Sequence, residues 1–134
     1  MRSEVRADSR LFRALCRTLI DRGYTVRFRA HGRSMFPAIA DGDIVEVSPQ
    51  ESNSTGDVVL LSDHERILAH RIVETREDHI VTRGDSCIEN DETEDAAVLG
   101  RVSAIVTTSG PRAPHTFHTR LRTFFSRLRD PKFR

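Results

Sequence analysis

The sequence predicts a mainly β protein: a compact, coiled antiparallel β-sheet, barrel-like in outline, with an N-terminal and a C-terminal amphipathic helix. Three observations predict it. From Thr25 to Val106, apolar and polar residues alternate in short runs, the period of strands with one face in a core. Gly-, Asn- and Asp-containing turn sequences separate the runs at a spacing too short for βαβ units. Only at the two ends does the apolar period lengthen to the helical one.

Residues 1–24 form the N-terminal element. Asp8 or Ser9 caps a helix that stops near Arg22, with Gly23 just beyond it. Leu11, Phe12, Leu15, Cys16, Leu19 and Ile20 make one apolar stripe, which lays the helix on or beside the domain with Cys16 in the core. Residues 25–108 form the β domain. Val26, Phe28 and Ala30 alternate with Arg27, Arg29 and His31; further strands are expected at 44–47, 57–61, 67–73, 79–82 and 98–106. The acidic loop from Asp85 to Asp91 reads as a solvated turn, apart from the carboxylates considered below, and six acids with no Lys or Arg fall between Asp85 and Asp95.

Residues 109–134 begin with a break at Pro111 and Pro114. Phe117, Leu121, Phe124, Phe125 and Leu128 then recur at helical spacing among Arg120, Arg122, Arg127 and Arg129. Two readings of this basic amphipathic helix stand: it folds back on the sheet, or it rests on an anionic surface such as the inner membrane face or an acidic partner. His115 and His118 lack a third ligand and read as a surface pair.

A length of 134 residues fits one domain. The balanced charge, +1 formally, gives no general drive toward nucleic acid. Cys16 and Cys87 provide neither a disulfide framework nor a metal-type pair. The apolar runs are far shorter than the ~20 residues that span a bilayer, and no signal-like segment opens the chain. A cytoplasmic protein is expected, with peripheral membrane contact if the C-terminal helix takes its second reading.

Chemistry centres on residues 32–47. Ser34 follows an alternating run, precedes Pro37, and is backed by the Asp41-Gly42-Asp43 turn. This sets one hydroxyl at the lip of a sheet, where a rigid, partly exposed nucleophile belongs. A serine needs a base. The single lysine, Lys132, lies in the polar tail, so a buried Ser–Lys pair is excluded. Among the histidines, His31, His64 and His79 fall at strand edges or turns, whereas His70 lies inside the apolar run 67–73. Either it is a structural histidine or it serves as a general base. The loop after Gly84 offers Asp85 and Asp91 to orient its ring.

The motifs fall in a telling order: Gly32-x-Ser34-Met35-x-Pro37, Gly42-Asp43, Gly56-Asp57-Val58-Val59, His70-Arg71, Gly84-Asp85 with Asp91, and Gly100-Arg101-Val102. This resembles the signal peptidase I family, within the larger group shared with LexA-type self-cleaving repressors. His70-Arg71 stands where bacterial members have Lys-Arg, so the chain is similar to the archaeal and endoplasmic-reticulum Ser-His branch. The resemblance implies a signal peptidase/LexA-like catalytic domain with Ser34 as nucleophile, His70 as base and Asp91 as the orienting acid. Asp85, Arg71 and Met35 would support the site, and the Ser34 backbone N–H would donate to the oxyanion. It further implies cleavage of an extended peptide or small precursor protein after small residues, without metal or organic cofactor. A catalytically silent, peptide-binding member of the same fold is the alternative. A self-cleaving regulator fits less well, since only 33 residues precede Ser34.

Overall fold

Eight strands and one helix follow from these patterns in a computed structural model, which describes residues 9–63, 66–107 and 110–114. The elements are α1 (Ser9–Asp21), β1 (Val26–Arg29), β2 (Ile44–Ser48), β3 (Val58–Asp63), β4 (Arg66–Thr75), β5 (His79–Arg83), β6 (Asp91–Glu94), a 3-10 turn (Asp95–Ala97), β7 (Val98–Thr107) and β8 (Gly110–Arg112). The expected C-terminal helix, with His115 and His118, and also His64, lie outside the described residues.

All strand pairs are antiparallel, in the order β1-β2-β7-β3-β4-β5-β6, with β8 paired to β7. The sheet is open, with β1 and β6 at its two ends. The ladders shift register at Glu46/Val47, Leu60/Leu61 and Ile72/Glu74, irregularities of the kind that add local bend and twist.

Both faces of the central strands are apolar. Val58 and Leu60 join Cys16 and Ile20 of α1, Met35, Ile39, Val45 and Val47 in one cluster. Val59 and Leu61, of opposite parity, join Ile72 and Ile80 in a second. This is why 58–61 reads as an unbroken aliphatic run and not an alternating one. Each such side chain contributes about 1.5–3 kcal/mol on burial. Cys16 is buried on the inward stripe of α1, while Leu11 and Leu15 stay exposed. Burial also pushes the Cys16 thiol pKa up.

Two strands depart from the sequence expectation. Residues 91–94 form β6 along β5, where no strand was expected. β8 is a three-residue strand on β7. No described helix is long and apolar enough to cross a membrane.

Candidate active site

The segment after β1 is held by its backbone. Gly32 adopts a positive φ of 95° and donates its N–H to Asp41 Oδ1 at 2.8 Å. Ala30 N donates to the Asp43 carbonyl at 2.7 Å, and Gly42 N to the Ala30 carbonyl at 2.8 Å. These bonds close the loop between β1 and β2. Within it, Met35, Ala38 and Ile39 are buried while Ser34 and Phe36 are exposed. The Phe36–Pro37 peptide bond is cis. Met35 is thus an apolar anchor that turns the neighbouring serine outward.

A second segment, the turn after β5, is fastened onto this one. Ser86 N donates to the Ser34 carbonyl at 2.9 Å, and Ser86 Oγ to the Phe36 carbonyl at 2.6 Å. The Asp85 N–H points at Met35 Sδ, 3.4 Å away. Gly84 lies so close that a Cβ there would sit 2.7 Å from the Ser34 carbonyl oxygen, 2.8 Å from Cys87 Sγ and 3.1 Å from Ser34 Cβ.

Arg71 locks this turn to the sheet. Its Nε and Nη2 each donate to one Asp85 oxygen at 2.8 Å, a bidentate pair. Nη1 donates to the Gly56 carbonyl at 2.7 Å and Nη2 also to Pro114 at 3.2 Å. The two side chains are only 5% and 0% exposed. A buried charge needs such satisfaction, and four bonds supply it.

His70, partly buried, precedes Arg71 on β4 and projects to the opposite face. The β4–β5 ladder ends at Arg71 opposite Arg83. Gly84 follows directly after Arg83, at the end of this ladder. Residues directly opposite in an antiparallel pair share a face, with Cβ atoms about 5 Å apart. The direction in which Gly84 lacks a Cβ leads to Ser34.

The carboxylates divide differently. Both Asp85 oxygens serve Arg71. Asp91, exposed at the start of β6, lies opposite Thr82, which lies opposite Ile72. Asp91 therefore shares the His70 face, yet β5 intervenes, and two strand spacings put about 10 Å between β4 and β6. The sequence reading missed Ser86 and Cys87, which complete the surroundings of Ser34. Their signal was a run of small residues, 84–87, next to a motif aspartate.

A separate cleft of about 760 Å³ is lined by Gln50, Asn53, Thr75 and Asp95 among others, with none of the residues above. Its size does not make it the active site, since no nucleophile–base pair lines it.

The chain matches none of the curated proteins with which it was compared. Residues 3–102, which carry Ser34, His70, Arg71, Asp85 and Asp91, match the family model described as Peptidase S24-like. A match over most of the chain, which folds as a mainly β, antiparallel domain, places this protein in the Peptidase S24-like family.

Proposed function

We propose that the protein is a serine endopeptidase of the signal peptidase I-like, Ser-His type, acting on an extended peptide or small precursor. The observation that carries this reading is the Gly84 contact. It seats Ser34 against the turn that follows β5, the strand paired with the β4 that carries His70, with the Ser34 carbonyl held by Ser86 N.

In this mechanism the substrate lies along β1, the end strand that leads into Ser34, where an extended chain gains main-chain hydrogen bonds. His70 takes the Ser34 Oγ proton as Oγ adds to the scissile carbonyl carbon. The Ser34 backbone N–H donates to the resulting oxyanion. The tetrahedral adduct collapses as the C–N bond breaks, and His70 returns the proton to the departing amine. Water, deprotonated by His70, then hydrolyses the acyl-enzyme and frees Ser34. Asp91, across β5, acts on the imidazolium through its charge or through an intervening water, not by direct contact.

The placement of the two aspartates favours one second reading, a peptide-binding protein that has lost turnover. A fluorophosphonate probe separates the two. The peptidase labels at Ser34, and neither Ser34→Ala nor His70→Ala does so while both stay folded. The peptidase also cleaves library peptides after small residues. Equal cleavage by wild type and Ser34→Ala would sink the catalytic reading.

A further inference from the structure

The two ends of the sheet carry opposite charge. β6 presents Asp91, Glu92 and Glu94, all exposed. β1 presents Arg27 and Arg29, both exposed, and Arg33 follows just before Ser34. Charged residues on edge strands ordinarily guard against unwanted pairing. The partners of these arginines point to a further role.

Carboxylates on the β1–β2 side are already committed. Glu46 pairs with Arg27. Asp41 accepts the Gly32 N–H, and Asp43 accepts the Ala40 N–H with Arg112 at 3.7 Å. Arg29 donates only to a neutral acceptor, the Gly42 carbonyl at 2.7 Å. Among the described residues, neither Arg29 nor Arg33 is paired with a carboxylate. Two cations with no carboxylate partner among the described residues therefore stand at the end of β1 and directly before Ser34, and the outward backbone groups of β1 pair with no described strand.

We propose that Arg29 and Arg33 make β1 a selective edge for acidic peptides, so that the substrate is an extended segment with Asp or Glu near its small residue. This inference rests on the serine-peptidase reading for the place where the peptide is cut, and on charge complementarity for which peptide it is. A peptide added along β1 sets alternate side chains beside Arg29. The acidic β6 edge repels the same peptide, so the two edges sort it electrostatically.

Binding of fluorescent ten-residue peptides to Ser34→Ala protein tests this without turnover. The peptides share a small-residue centre and differ in carrying Glu, Gln or Lys at flanking positions. The Glu peptide is expected to bind about 2- to 20-fold tighter than its Gln isostere at low salt, with the gap shrinking at high salt. Arg33→Glu should narrow the gap, and Arg29→Glu with Arg33→Glu should reverse it toward the Lys peptide. Absence of a charge preference, or one that survives the reversal, overturns the proposal. So does concentration-dependent self-association that β6 charge reversal abolishes and acidic peptide does not displace. Fluorophosphonate labelling reports on Ser34 independently. Labelled protein without charge preference removes this inference alone, whereas unlabelled protein with a reversible preference removes the peptidase reading and leaves the edge as an acidic-peptide site.

Discussion

The turn at Gly84 and the stretch of β7 at Gly100 face the same steric problem. A Cβ at Gly100 would meet the Ser48 carbonyl and Val47 Cγ1 at 2.8 Å, and Ile20 Cδ1 at 3.3 Å. At Gly84 it would meet the Ser34 carbonyl and Cys87 Sγ at 2.7 and 2.8 Å. At Gly100, closeness lets α1 settle on the centre of the sheet. At Gly84, it sets the position of an exposed hydroxyl. One region converts a missing methyl into core density, the other into placement of a reactive group, so damage to them should register in different measurements.

The largest break in that comparison is expected at Arg71, which holds the Gly84 turn in place. Arg71→Ala takes the guanidinium away from the buried Asp85 carboxylate and should cost about 3–5 kcal/mol in urea unfolding. Arg76→Ala, which removes an exposed 3.2 Å ion pair with Glu74, should stay within about 0.5 kcal/mol. Replacing both partners, Arg71→Met with Asp85→Leu, should recover much of the stability. Activity should not return, because the bidentate link that orients the turn is gone.

Next in size are the glycines themselves. Gly84→Ala and Gly100→Ala should each destabilise by about 1–3 kcal/mol, the usual cost of overfilling a tight site. Their kinetics should part. Gly84→Ala is expected to lower peptide turnover by about 10- to 100-fold, since displacements on the order of 1 Å at a nucleophile have effects of that size. Gly100→Ala should leave turnover close to wild type. Equal losses in both variants would mean that Gly84 is only a packing position.

The smallest effect sharpens the comparison chemically. Exposed Cys87 is expected to react with a maleimide in the native protein, whereas buried Cys16, its thiol pKa pushed up by desolvation, should react only on unfolding. One adduct per chain in mass spectrometry, with peptide turnover reduced, is the expected outcome. Bulk at Cys87 Sγ intrudes on the space beside Ser34. A labelled protein with full turnover would place the reacting atoms elsewhere.

Much of this architecture was legible in advance. α1 was readable because an apolar stripe at helical spacing and Gly23 just past Arg22 agree on its extent. The strands of the central sheet were readable because burial imposes a period. β6 was not. Asp91, Glu92 and Glu94 carry no apolar alternation, and the strand exists because β5 offers it a ladder, a tertiary cause that local composition does not record. The site was legible in its parts more than in its contacts. Ser34, His70 and the two aspartates stand out by motif, but the fastening of Ser34 to Gly84 and Ser86 joins segments about fifty residues apart in sequence. Arg71 carried the missing clue: a guanidinium inside an apolar strand must find an anion, and the nearest motif carboxylate is Asp85.

The Arg71 contact with the Pro114 carbonyl has a practical consequence. The same guanidinium that steadies the turn beneath the serine also moors the exit of the polypeptide from β8. A truncation after Pro114 keeps that mooring, whereas one made a few residues earlier strips an acceptor from a nearly buried charge. The shortest stable catalytic fragment should therefore end at Pro114 or beyond it, a boundary set by one arginine and not by the last strand.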